Sequence, residues 1–109
     1  MKTVDLREYD SARPMLMRAE YLIASAYHAG DNLTKFITAT PYLTEKLRAC
    51  LRGWIREKKV SFMIYGEKYA ENDESTKYLL DRFPEEAGDA DIGKGDPFIT
   101  VVCFTVTRK

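Results

Sequence analysis

The 109-residue chain is the right size for one domain around one core, and its 45% apolar content excludes a chain that is disordered throughout. No apolar run approaches the ~20 residues that span a bilayer. Lysine plus arginine equals aspartate plus glutamate at 17 each, which argues against broad attraction to nucleic acid.

The first residues, "MKTVDLREYD", lack an apolar signal core, so the expected location is the cytoplasm. Within them "TVDL" reads as a short strand with Val4 and Leu6 on one face. Ser11 is placed to cap a helix, Pro14 fits its first turn, and Gly30 suits its end. Met15, Ala19, Leu22, Ile23 and Ala26 form its apolar stripe, while Met17, Tyr21, Ala24 and His28 keep the other side from being cleanly polar.

"LTKFIT" reads as a second strand, closed by the turn "ATP". Thr40, Pro41 and Glu45 are helix start signals, and the helix should run from about Tyr42 to Lys58. Leu43, Leu47, Leu51 and Trp54 share one face of it, which makes Trp54 a core residue. "VSFMIY" is the third strand, ended by Gly66. Residues 67–97 are charged and glycine-rich and hold one short helix, "ESTKYLLDRF". "FITVVCFTVT" is apolar on both faces, as expected of a strand inside a sheet.

The order β-α-β-α-β-(insertion)-β predicts one α+β domain over 1–109, an α/β two-layer sandwich. Its four-stranded mixed sheet carries two main helices on one face. The other face is left to solvent, to the acidic insertion at about 67–97, or to a partner.

Candidate chemistry is sparse. Nucleophilic catalysis lacks an elbow motif, and His28 is the one histidine. Cys50 and Cys103 form no metal pattern, and no metal or other cofactor is expected. "GDADIGKG" (88–95) imitates a phosphate loop. It has Gly95 where serine or threonine belongs, and aspartates inside, so no nucleotide cofactor is expected. The aspartates of this stretch fail the EF-hand spacing and read as a solvated acidic loop. Asp5, at the end of the first strand, is the best isolated carboxylate and the weak candidate for catalysis. Charge is unevenly spread: residues 1–60 hold eleven basic and seven acidic side chains, residues 61–109 six and ten. Arg48, Arg52, Arg56 and Lys59 fall on one arc of the second helix, a spacing suited to successive phosphates or to pairing with the acidic half.

"VDLRE" (4–8), "KFITA" (35–39) and "EKLRACLRGWIREKK" (45–59) together resemble the small MutS-related (Smr) domain. Its members carry L-D-L-H-G at the end of the first strand and I-H-G-x-G at the end of the second, followed by L-R and a long helix. "VSFMIYGEKY" and "GDPFITVVCF" are similar to an extended branch of that family with an acidic insertion. The resemblance implies nucleic-acid binding and, for members with the full motifs, strand cleavage. Asp5 matches the family aspartate, but Arg7 and Glu8 replace histidine and glycine, and Thr38 and Ala39 replace the second histidine and glycine. Threonine is no proton shuttle at neutral pH, and Ala39 and Pro41 restrict the close approach to phosphate that glycines allow.

The expectation is therefore a non-catalytic Smr-like domain that contacts RNA or DNA phosphates through Arg7, Arg48, Arg52, Arg56 and Lys59. Two alternatives stand beside it. One is a protein-interaction or homodimerisation domain using Met17, Tyr21 and His28; the other is residual metal-dependent nuclease activity at Asp5.

Overall fold

The structure, a computed structural model, describes residues 1–29 and 33–104, and the side chains of all of these except residues 26–29. In chain order it forms β1 (Lys2–Asp5), α1 (Ala12–Ala29), β2 (Leu33–Ile37), α2 (Pro41–Arg56), β3 (Phe62–Tyr65), α3 (Glu74–Arg82) and β4 (Ile99–Cys103). Gly30 and positions 105–107 of the expected last strand lie outside the described residues.

The sheet is mixed, in the order β1-β2-β4-β3. β1 runs parallel to β2 with Val4 opposite Phe36, and β4 runs antiparallel to both β2 and β3. β4 is therefore interior, and every one of its residues is buried, as its two apolar faces predict.

Strand alternation sorts two cores. On one face Val4, Phe36, Met63 and Val102 meet the stripes of α1 (Met15, Ala19, Ile23) and α2 (Leu43, Leu47, Leu51, Trp54). Each fully buried side chain of this size contributes about 1.5–3 kcal/mol. On the other face Leu33, Ile64, Ile99, Val101 and Cys103 meet Tyr69, Leu79, Leu80, Phe83 and Ile92. Of the three possible covers for that face, the structure shows the insertion. It is organised by α3, with a 3₁₀ turn on either side, at Gly66–Lys68 and Pro84–Gly88.

Local signals explain the helix ends. Thr40 caps α2, its Oγ1 accepting the Leu43 N–H at 3.1 Å, and Pro41 opens the first turn. Asp73 caps α3 by accepting the Thr76 N–H at 3.0 Å. α2 ends where Lys58 turns to φ +66°, and the Lys59 and Val60 N–H groups then share the Trp54 carbonyl. Cys50 is half-buried and Cys103 buried; both thiols are free, and burial pushes both pKa values up. Among the described residues no helix is long and apolar enough to cross a membrane.

Gly66 joins β3 to the insertion at a point where two backbones nearly touch. A Cβ there would lie 1.9 Å from the Asp96 carbonyl oxygen and 2.8 Å from that of Ile99. Gly66→Ala is expected to cost about 2–3 kcal/mol, because backbone on both sides has to move. Urea denaturation that shows no loss of stability would mean that this crossing is looser than described.

Candidate nucleic-acid interface

Both main helices begin at the carboxyl ends of the parallel strands β1 and β2, the edge where α/β sheets commonly bind ligands. Asp5 and Arg7 meet there. Arg7 donates from Nε to Asp5 Oδ1 at 2.9 Å, from Nη2 to Oδ2 at 2.7 Å, and from its backbone N–H to Oδ1 at 2.9 Å. These bonds hold the Asp5 carboxyl down at about 2, so it is a weak proton acceptor near neutrality. Asp5 and Arg7 thus form an exposed pair that satisfies itself, with Asp96 adding to the negative field on Arg7.

Thr38 stands where the family resemblance puts a histidine, and it is buried. Its hydroxyl contacts the Thr44 hydroxyl and the Phe98 carbonyl, and Thr44 Oγ1 also reaches the Thr40 carbonyl at 2.8 Å. The two hydroxyl protons can fill only two of these three contacts at a time, and the buried pair, bonded internally, presents no ionisable group.

α2 divides the arginines of the expected arc. Arg48 is a correction: it is 5% exposed and points into the protein. Its guanidinium donates to Glu67 through Nη1 (3.0 Å) and Nη2 (2.8 Å), to Thr100 Oγ1 through Nε (3.1 Å), and to the Ile99 carbonyl through Nη2 (2.9 Å). It also stacks on Tyr65, 4.2 Å from the ring centroid. The Arg48 bonds hold the Glu67 carboxyl below its ordinary range, against the burial that raises it. Nε, one Nη1 hydrogen and both Nη2 hydrogens are engaged and one face of the guanidinium lies on Tyr65, so this buried group is not an open phosphate contact.

The outward side of α2 is different. Lys46, Arg56, Lys58 and Lys59 are exposed and Arg52 is half-exposed, against two carboxylates, Glu45 and Glu57. Arg52 donates to Glu45 and to the Tyr65 hydroxyl at 2.7 Å, and Lys59 lies 3.3 Å from Glu57. These are solvent-exposed ion pairs, which exchange partners at small cost. Arg56 has neither an ion pair nor a side-chain hydrogen bond among the described residues.

Glu67 of the acidic insertion reaches only the inward Arg48 of this helix, and Lys46, Arg56, Lys58 and Lys59 stay exposed. Asp89 and Asp91 turn instead to Lys35 on the opposite face of the sheet, which corrects the expectation of a wholly solvated acidic loop, while Asp81 and Glu85 are exposed. Lys35, on β2 between Leu33 and Ile37, is 5% exposed and ion-pairs with Asp89 at 2.8 Å and with Asp91. Tyr69 donates its hydroxyl to the second Asp89 oxygen at 2.7 Å. Burial alone would raise the Asp89 carboxyl, but the bonds from Lys35 and Tyr69 outweigh it and hold it low. Sequence reasoning missed this buried group, although a lysine inside the apolar strand "LTKFIT" signals that a counter-charge must reach it.

On α1, Met17 and Tyr21 are 63% and 64% exposed, with Arg18 5.6 Å from the Tyr21 ring. The side chain of His28 lies outside the described residues. Among the described residues no three His, Cys, Asp or Glu side chains are grouped to hold a metal ion. No protein-family model, no curated protein and no solved structure matches this chain.

Proposed function

We propose that this chain is a divergent Smr-like domain, without hydrolytic chemistry, that contacts the phosphates of RNA or DNA through the outward side of α2. The observation that carries the reading is the charge on that side. Lys46, Arg52, Arg56, Lys58 and Lys59 outnumber Glu45 and Glu57 there, while Asp89 and Asp91 are committed to Lys35 across the sheet. A chain of zero net charge thereby keeps a locally cationic helix. The self-satisfied Asp5–Arg7 pair and the buried Thr38–Thr44 pair support a binding role over a hydrolytic one.

A fluorescently labelled oligonucleotide should bind at low salt. With about three phosphate contacts on a single strand, affinity should fall roughly 20-fold between about 50 and 200 mM salt. Arg52→Glu should weaken binding about tenfold, since it removes one contact and repels a neighbouring phosphate. Fluorescence anisotropy reads both effects. No binding at low salt removes the proposal.

A further inference from the structure

We infer that Tyr42 is a base-stacking platform and that the ligand of the α2 surface is single-stranded rather than duplex nucleic acid. This inference rests on the phosphate-contact reading above and adds the class of strand.

Tyr42 lies in the first turn of α2 and is 63% exposed. Its ring sits 5.4 Å from Lys46 Nζ, one helical turn on, so an aromatic face and a cation are presented together. The other aromatics of α2 and its surroundings are occupied. Trp54 is buried in the core, and Tyr65 lies under Arg48 with its hydroxyl bonded to Arg52. Helical spacing continues the line from Tyr42 and Lys46 through Ala49 and Gly53 to Arg56. Ala49 and Gly53 raise little above the helix, and a Cβ at Gly53 would meet only the Arg56 guanidinium, at 3.8 Å. The result is a low strip about 21 Å long with an aromatic ring at one end and a cation at the other.

An exposed aromatic by itself is ordinary. Its placement on the cationic side of α2 is what points to a ligand. Stacking on a tyrosine needs an unpaired base whose face is free. A duplex offers phosphates but hides its base faces, so it engages the cations and leaves the ring unused.

Anisotropy titrations of the full chain with labelled oligouridylate of about 12 nucleotides, and with a duplex of equal length, test this. The single strand should bind more tightly than the duplex. Tyr42→Ala should weaken single-strand binding about tenfold and leave duplex binding and the salt slope unchanged. Tyr42→Phe, which keeps the ring, should bind like the parent. Because Tyr42 is outside the core, melting curves of both variants should overlay that of the parent. If Tyr42→Ala binds the single strand as well as the parent while Arg52→Glu still weakens it, stacking is wrong and phosphate contact stands. A preference for duplex also overturns the inference. Absence of binding to either ligand at low salt overturns both.

Discussion

Arg48→Ala is expected to destabilise the domain by about 3 kcal/mol, a large part of the 5–15 kcal/mol typical of a domain this size. The substitution strands Thr100 Oγ1 and the Ile99 carbonyl, which lie in the buried end of β4, and uncovers Tyr65. Unsatisfied buried groups cost about 1–3 kcal/mol each, and lost packing adds to that. Glu67 contributes less, because its side chain is 44% exposed and can rehydrate. Arg56→Ala, four residues along the chain from Arg52, should leave the urea midpoint almost unchanged and weaken nucleic-acid binding instead. Arginines of one helix therefore separate into one that builds the fold and others free to bind. A midpoint for Arg48→Ala within error of the parent would contradict the buried geometry.

Lys35→Ala should cost about 3–5 kcal/mol, because it leaves two carboxylates facing an apolar surface without their cation. Asp89 is the more buried of the two carboxylates, at only 10% exposed against 29% for Asp91, so water cannot readily replace Nζ beside it. The effect should depend on pH in a definite sense. The folded pKa of Asp89 lies below its unfolded value near ~3.9. Its contribution is therefore present above about pH 4 and is lost as pH falls through the lower folded value. Lys35 shows the opposite sign. Burial lowers its pKa, the Asp89 and Asp91 bonds raise it further than that, and the net is a rise. Its contribution is present below an unfolded pKa of ~10.4 and is lost as pH climbs through the higher folded value. Parent and Lys35→Met should thus differ most in stability between about pH 5 and 9 and draw together as pH falls below ~3.9 through the lower folded value of Asp89. A gap that stays constant with pH would mean that the lysine acts by packing alone.

The periodicities that face the core were legible. Leu43, Leu47, Leu51 and Trp54 announced the buried side of α2, Thr40 announced its cap, and the apolar run at 99–103 announced an interior strand. These depend on neighbours within a few residues, and local sequence carries that information. Arg48 was not legible as a core residue. It shares an arc with Arg52 and Arg56, and what draws it inward lies far along the chain, in Glu67 and in the Ile99 carbonyl. Burial of Thr44 and Arg48 widens the inner face of α2 beyond its leucine stripe, toward β4. Lys35 gave half a signal: an inward cation demands a counter-charge, but which of ten acidic residues in the second half supplies it depends on how the insertion folds back. Tyr42 read only as a helix start, since nothing in sequence separates an exposed aromatic from one tucked against a neighbour.

The most direct test is the salt dependence of single-strand affinity for the parent and for the double variant Arg52→Gln/Arg56→Gln, whose stability should match the parent. Each phosphate contact contributes about 0.7 to the slope of log affinity against log salt. Loss of two contacts should flatten that slope by roughly 1.4 and weaken binding at low salt. An unchanged slope, with the double variant folded, would show that the outward side of α2 does not meet the phosphates.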